Sequence, residues 1–281
     1  MRDRRRTRSQ RPKSDRLFVW SLRVYAGVFI AFLVTPLAAI VLFSFNDSPF
    51  YSFPLKGLTL GWYRELLHDP RFLTGFWNSL AIAVGTAVLA TILGTAFAYG
   101  IARQQFRFKT VAVVLGFMPL VTPTLIIGVT FQSFFVLTGF PLSRAAVVIA
   151  HTTYAAPLVA LVVLTRFLTL GDEFETAARD LGASPTQTMR LITLPLAKTA
   201  VQGGLVVALL LSFNEFIIAF HTSAGFFTLP QLIYSMQRVG LNPTLLAYFT
   251  LTIVAVVVSL LILEQVIRSS LDQVARRRAQ P

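Results

Sequence analysis

Long apolar stretches alternate with short polar connections along nearly the whole chain. Six of these stretches reach the length of about 20 residues that a helix needs to cross the hydrocarbon core of a bilayer. The spans that they predict are residues 20–45, 78–102, 110–137, 145–168, 200–221 and 244–268. The pattern therefore indicates an all-α, polytopic membrane protein with about six transmembrane helices. This membrane domain covers residues 17–270, between a basic tail at 1–16 and a second tail at 271–281.

Several predicted spans contain residues that are unusual inside a membrane helix. Pro119 and Pro123 lie in the third span and Pro157 in the fourth. Because proline interrupts the helical hydrogen-bond ladder, both spans are predicted to be bent. The fifth span carries Asn214 and Glu215. A polar group inside a span is costly, so this pair is a candidate for function.

Composition supports the membrane interpretation and excludes some chemistry. Of the 281 residues, 55% are hydrophobic and 13% are charged, with a mean hydropathy of +0.68, which is too apolar for an ordinary soluble domain. The absence of cysteine excludes disulfides and thiolate metal sites. No lysine follows a glycine, so the chain has no Walker-type ATP site. We predict no catalytic residue and no metal site.

Basic residues are distributed unevenly between the two sides that six spans define. Of the 25 Lys and Arg residues, all but five belong to one side, and the five on the other side are Lys56, Arg64, Arg71, Arg144 and Arg238. Because basic residues near span ends stay cytoplasmic, both termini and the polar loop at 171–196 are predicted to be cytoplasmic. The basic tail directly precedes an uncleaved first span, so attraction to membrane lipid explains it better than nucleic-acid binding.

The polar loop at residues 171–196, called the 171–196 loop below, is capable of forming helices. Apolar residues recur there at helical spacing and predict a short amphipathic helix: Phe174, Ala177, Ala178 and Leu181. Gly182 can adopt the left-handed conformation that closes a helix. An N-cap, an N1 proline and a capping-box partner for a second short helix follow at Ser184, Pro185 and Gln187. Pro195 is predicted to mark where this helix gives way to the fifth span.

The same loop resembles the cytoplasmic signature of the membrane-spanning permease subunits of ABC importers, which reads Glu-Ala-Ala, three residues, Gly, nine residues, Ile-x-Leu-Pro. The residues in register with it are Ala177, Ala178, Gly182, Ile192, Leu194 and Pro195. Thr176 stands where the signature has its glutamate, and the nearest carboxylate, Glu175, lies one residue earlier. Since one residue is about 100° of rotation on a helix, Glu175 is not a positional substitute.

The resemblance implies a type I ABC importer permease fold in which this loop is the coupling helix that docks on a separate ATPase subunit. The residues that it assigns to ATPase coupling are Glu175, Thr176, Ala177, Ala178, Asp180, Gly182, Ile192, Leu194 and Pro195. It also implies two copies of the ATPase subunit, which use ATP and Mg, and no cofactor bound by this chain. The other partners are a second permease subunit, forming a heterodimer, and a periplasmic or lipid-anchored substrate-binding protein. The bacterial inner membrane is the expected location. The alternative is that the loop is only a surface helix between spans.

Over nearly its whole length the chain is also similar to the permeases of polyamine importers. The stretches that carry this similarity include LVTPLAAIVLFSFND, GLTLGWYRELLHDP and FWNSLAIAVGTA. It implies that the solute is spermidine, putrescine or a related organic cation, although relatives of this type also carry opines and other small organic solutes. Two alternatives come from other classes, an ion-coupled secondary transporter and a membrane anchor that transports nothing. The sequence shows no repeated pair of broken spans with charged sites, which secondary transporters carry, and this counts against the first alternative.

Four residues are candidates for the translocation path: Asn214, Glu215, His151 and Tyr154. Glu215 follows Pro195 by about 20 residues, or about 30 Å along a helix, which puts it in the external half of the membrane. There it would be the counter-charge for a cationic solute, and Tyr154 would offer a cation–π face. The alternatives are that Glu215 pairs with a neighbouring helix or subunit or sits in the interface as a gate element, and that His151 only packs between helices.

Overall fold

The computed structural model describes residues 13–50, 53–240 and 242–278, which are mostly helical. The helices of this part are α1 (Lys13–Ser44), α2 (Gly61–His68), α3 (Pro70–Arg103), α4 (Lys109–Val121), α5 (Thr124–Thr138), α6 (Arg144–Leu170), α7 (Glu173–Asp180), α8 (Pro185–Thr188), α9 (Leu194–Asn214), α10 (Ile217–Thr222), α11 (Leu229–Val239) and α12 (Pro243–Arg278). Within the described ranges there is no β-strand, and the prediction of an all-α protein is confirmed. Residues 1–12 of the predicted basic tail and 279–281 of the second tail lie outside the described residues.

Helices of membrane-spanning length account for most of the predicted spans. Among the described residues, four helical stretches are long and apolar enough to cross a bilayer: Phe18–Ser44, Pro70–Arg103, Arg144–Leu170 and Pro185–Asn214. The α4 and α5 pair adds a fifth if it counts as one broken span. A shorter apolar stretch, Pro243–Ser259, forms the first part of α12.

The third predicted span is broken rather than gently bent. The axes of α4 and α5 differ by 106° across a break at Thr122 and Pro123. Because the ring of a proline disfavours a helical residue before it, Thr122 adopts an extended conformation and the chain turns there. By contrast, α6 continues as one helix through Pro157.

Pro195 lies in the first turn of α9, as the sequence predicts, but no break separates α9 from α8. A π-helical segment, Met189–Thr193, joins the two helices, and the N–H of Leu194 donates to the carbonyl of Met189 five residues earlier. A proline inside an α-helix clashes with the carbonyl four residues back, and the wider π turn accommodates its ring.

Helices α3, α6 and α9 form the centre of the molecule, where small side chains allow close contact. The buried residues of this core include Ala87, Ala90, Ala98, Ala155, Val159 and Val163. Gly94 of α3 and Gly204 of α9 both face Val159 of α6. Small residues bring helices together in a bilayer because lipid gives apolar side chains no other reason to associate. In contrast, the most apolar part of α1 is fully exposed in the isolated chain, and α1 packs against α12.

At the end of the core opposite the 171–196 loop, hydrogen bonds hold an irregular segment in place. Asn78 of α3 donates from Nδ2 to the carbonyl of Phe227 at 2.9 Å and accepts at Oδ1 from Nη2 of Arg144 at 2.7 Å. The N–H of Leu229 donates to Oγ of Ser79 at 2.8 Å. Side chains of α3 and α6 therefore fix the chain between α10 and α11.

Candidate functional site

The 171–196 loop turns sharply at Gly182, between α7 and α8. Gly182 has φ of +87°, its N–H donates to the carbonyl of Arg179 at 2.8 Å, and the N–H of Ala183 donates to the carbonyl of Ala178 at 3.0 Å. These two bonds form a Schellman motif, which closes α7. The N–H of Ser184 then donates to Oε1 of Gln187 at 2.8 Å, and its Oγ accepts from the N–H of Gln187. The predicted helix closure and capping box are confirmed.

Most residues that the sequence assigns to ATPase coupling lie on the outer face of this loop. The exposed ones are Thr176, Ala177, Asp180, Gly182, Leu194 and Pro195, whereas Ala178 and Ile192 are half-buried. Leu181, beside the turn, is 90% exposed, and Phe174 and Leu191 are also exposed apolar residues. The loop therefore presents apolar surface outside the core, a feature typical of interaction sites.

Glu175 points the other way, into the protein. Its Oε1 lies 3.0 Å from Nε of Arg103, and its Oε2 lies 3.5 Å from Nη2 of Arg179 in the next turn of α7. The side chains of Glu175 and Arg103 are only 4% and 9% exposed, whereas that of Arg179 is 51% exposed. Glu175 is thus a partner of α3 inside this chain, while its neighbour Thr176 is exposed.

Arg103 connects three elements at this end of the molecule. It is the last residue of α3, and besides Glu175 of α7 it contacts the end of α6. Its Nη1 donates to the carbonyl of Phe167 at 3.1 Å, its Nη2 donates to the carbonyl of Gly171, and its guanidinium carbon lies 5.8 Å from the ring centre of Phe167. The last carbonyls of a helix have no partner within it, so Arg103 supplies one and complements the negative end of the helix dipole.

The fifth predicted span is interrupted where its polar pair lies. Helix α9 ends at Asn214, Glu215 is extended with ψ of 120°, and α10 begins at Ile217. Glu215 is half-buried, and its Oε1 accepts a hydrogen bond of 3.0 Å from the N–H of Ile218 in the first turn of α10. The carboxylate therefore lies in a break between helices, the kind of position where transporters bind solutes.

The other three path candidates also lie near this break, but they differ in burial and in their partners. Tyr154 of α6 is half-buried and close enough to Glu215 for their charges to influence each other, and Asn214 is exposed, with Nδ2 donating to the carbonyl of Leu210. His151 is buried, and a hydrogen bond of 2.8 Å joins its Nδ1 to Oγ of Ser212. This burial and this hydrogen bond agree with the alternative that His151 only packs between helices.

A cavity of about 640 Å³ opens beside α10 and α11. Its lining is rich in aromatic rings: Phe216, Phe220, Phe226, Phe227 and Tyr234. The guanidinium carbon of Arg238 lies 5.1 Å from the ring centre of Tyr234. A positive charge is thus already present at this aromatic surface, which makes it a poorer cation site than the carboxylate of Glu215.

Sequence reasoning missed Arg103 and Ser212, which position Glu175 and His151. Arg103 lies 72 residues from Glu175, so the sequence gives no local signal for this contact. The available signal is that the carboxylates of the 171–196 loop and the basic residue at the end of α3 are predicted to lie on the same side of the membrane. Among the described residues, no group of three or more acidic or histidine side chains is arranged to hold a metal ion.

Residues 90–273 match the protein family described as the binding-protein-dependent transport system inner membrane component. The chain belongs to this family. It is the membrane-spanning permease subunit of an ABC importer and not an enzyme, as the sequence predicted. The match includes the whole 171–196 loop and the break at Glu215, so both candidate regions lie within the part of the chain that defines the family.

Curated relatives of this permease cover most of its length. It is 36% identical over 233 residues to the putrescine transport system permease protein PotI of Escherichia coli (strain K12), covering 80% of this chain and 83% of the relative. It is 32% identical to the spermidine/putrescine transport system permease protein PotC of the same strain, covering 80% and 85%. A probable molybdenum ABC transporter permease protein of Haloferax volcanii is 30% identical and covers 68% and 69%.

Solved structures resemble this permease in fold. A chain of a bacterial ABC transporter involved in the import of the acidic polysaccharide alginate has a TM-score of 0.72 at 18% identity, covering 91% of this permease and 98% of that chain. A chain of the MetNI methionine ABC transporter in an inward-facing conformation has a TM-score of 0.60 at 20% identity, covering 71% and 95%. The predicted type I importer permease fold is confirmed.

Proposed function

We propose that this permease carries a polyamine, putrescine or spermidine, across the bacterial inner membrane. The observation that carries this proposal is the half-buried carboxylate of Glu215 in the break between α9 and α10. An organic cation that leaves water needs a counter-charge, and a carboxylate inside a membrane protein is costly unless it has such a use. The putrescine and spermidine/putrescine relatives support the same solute class.

The arrangement around Glu215 suits a transient site rather than a tight one. Its Oε1 is engaged by the N–H of Ile218, and Tyr154 adds an aromatic face nearby. A single carboxylate that shares its hydrogen bonds with the backbone attracts an ammonium group without holding it strongly. A solute must leave a transport site as readily as it enters, and a site of moderate strength permits both.

The proposal includes the partners of a complete importer. A second, different permease subunit pairs with this chain, two copies of an ATPase subunit bind below and use ATP and Mg, and a periplasmic or lipid-anchored binding protein delivers the solute. The exposed apolar residues of the 171–196 loop, Leu181 above all, are the surface that meets the ATPase. Both termini face the cytoplasm, in agreement with the distribution of basic residues.

Uptake by a charge-neutral variant tests the role of Glu215. The complete importer is reconstituted in proteoliposomes with saturating binding protein, and uptake of radiolabelled putrescine and spermidine is measured. Glu215→Gln keeps an oxygen that can accept from the N–H of Ile218 but removes the charge. We expect the maximal uptake rate to fall by about tenfold, since losing a charged contact in a low-dielectric site raises the barrier by about 1.4 kcal/mol or more.

Two controls separate the charge of Glu215 from its capping of α10 and test the choice of solute. Glu215→Asp keeps the charge and should retain more uptake than Glu215→Gln, whereas loss of α10 capping alone would affect the aspartate variant at least as strongly. Opines and molybdate are offered to the wild-type importer in parallel. Uptake of one of these solutes without any uptake of polyamine would refute the proposed solute, and normal polyamine uptake by Glu215→Gln would refute the counter-charge.

A further inference from the structure

We propose that the buried ion pair of Arg103 and Glu175 is the joint through which the 171–196 loop moves α3 together with α6. Arg103 is a positioning residue in this proposal, which rests on the proposed transport function. The loop is joined to α6 and α9 by the chain itself, but it has no covalent connection to α3. The ion pair of Arg103 and Glu175 supplies a noncovalent connection between α3 and the loop instead.

The pair has the features of a built site rather than of a chance surface contact. Both side chains are more than nine-tenths buried, and they meet at 3.0 Å. A buried guanidinium needs partners for its remaining N–H groups, and Arg103 finds them in the carbonyls of Phe167 and Gly171. One side chain thus bonds to the end of α6, to the link that follows it and to α7. Pulling the two side chains apart would leave two uncompensated buried charges, which is costly. A movement of one of the three elements is therefore expected to carry the others with it.

The direction of Glu175 separates this role from docking on the ATPase. Glu175 faces α3, and the residue one step further along α7, Thr176, faces outward without a charge. A carboxylate at position 175 therefore cannot reach a partner that binds the outer face of the loop. In this chain the carboxylate one residue before Thr176 is used inside the permease.

Coupling between ATP hydrolysis and transport gives the first test. The complete importer is reconstituted in proteoliposomes, and putrescine uptake and ATP hydrolysis are measured together for Arg103→Gln and Glu175→Gln. We expect uptake to fall by about tenfold while hydrolysis stays within about twofold of wild type, so that less solute moves per ATP. Equal loss of both activities in a complex that still assembles would overturn the proposal, because it indicates lost docking.

Two further variants separate the joint from other roles. Arg179→Gln removes the more exposed and more distant partner of the same carboxylate, and its uptake should stay within about twofold of wild type. Adding Thr176→Glu to Glu175→Gln places a carboxylate on the outer face. This addition should not restore uptake, and a restored rate would show that Glu175 acts on the ATPase. Should Arg103→Gln fail to assemble, Glu175→Gln breaks the same ion pair from the other side, and wild-type coupling in that variant would equally overturn the proposal.

A distance measurement tests the joint without any solute. The chain has no cysteine, so spin labels attached through Gln104→Cys and Thr176→Cys, both exposed positions, report the separation of α3 and α7 alone. We expect a narrow distance distribution, a broadened one with Arg103→Gln and an unchanged one with Arg179→Gln. An unchanged distance distribution with Arg103→Gln would overturn the proposed joint, even if the wild-type importer takes up polyamines. Absence of polyamine uptake in the wild type, with the joint intact by this measurement, would refute only the proposed solute.

Discussion

A single step along α7 separates a buried charge from an exposed, neutral residue. Glu175 lies against Arg103 inside the protein, and Thr176 lies outside, because successive helical residues point about 100° apart. The outer face of the loop consequently depends on apolar groups such as Leu181 rather than on a carboxylate at position 176.

The backbone of Gly182 carries a prediction of its own. Its φ of +87° suits glycine, and a built side chain would meet no neighbour within 4 Å, so any effect of substitution acts through the backbone. Gly182→Val should strain the turn by about 1–2 kcal/mol and reduce uptake, since a β-branched residue avoids the left-handed region. Gly182→Asn adds bulk but tolerates that region and should transport nearly normally. Normal uptake by the valine variant would show that the turn does not need this conformation.

Local rules predicted the capping residues of the loop but not its buried contacts. Ser184 and Gln187 were identified because a capping box depends on residues three apart, and Gly182 because it follows an apolar periodic segment. Arg103 lies 72 residues from Glu175, and only the packing of α3 against α6 brings the two together. The break at Glu215 was missed for another reason, since no proline or glycine marks it.

At the scale of helices, contact between α3 and α6 depends on the absence of a side chain at Gly94. A methyl group there would lie 2.7 Å from the carbonyl oxygen of Ala156, which is backbone and cannot move aside. Gly100 of the same helix has open space around it, with no atom within 4 Å of a built side chain. The two glycines therefore form a natural pair for comparing packing with helix propensity.

Replacing these glycines by alanine should have opposite effects on stability. Gly94→Ala overpacks the interface and should destabilise the permease by about 1–3 kcal/mol. Gly100→Ala should stabilise α3 by about 0.5–1 kcal/mol, because alanine is the better helix former. The midpoint of thermal unfolding of the purified complex in detergent measures both changes. A lower midpoint for Gly100→Ala, or an unchanged one for Gly94→Ala, would contradict the packing described for α3.

At the scale of the whole molecule, opposite ends of the core are held by different arginines. Arg103 fixes the 171–196 loop at one end, and Arg144, through Asn78, fixes the segment before α11 at the other. Between these two ends, the break at Glu215 interrupts the helical hydrogen bonds of the fifth span, and the side chain of Glu215 replaces one of them by accepting from the N–H of Ile218.

Cysteine labelling tests which end faces the cytoplasm. The natural chain has no cysteine, so a single introduced residue gives the whole signal. Leu58→Cys, at a position that is 81% exposed, should react with a membrane-impermeant maleimide in spheroplasts, and Gln104→Cys, exposed at the end of α3 and outside the proposed ATPase surface, should react only in inverted vesicles. Labelling of Gln104→Cys in intact spheroplasts would contradict the predicted topology.

The continuous helical stretch from Pro185 to Asn214 has a mechanical consequence. Its 30 residues span about 45 Å at about 1.5 Å per residue, which exceeds the thickness of the bilayer core. When such a rod tilts about its end in the 171–196 loop, its whole length moves the tip that carries Asn214, directly before Glu215. A tilt of only about 5° displaces that tip by about 4 Å, more than the length of a hydrogen bond. A small rotation imposed on the loop is thus enough to make or break a contact at Glu215, at the other end of the rod.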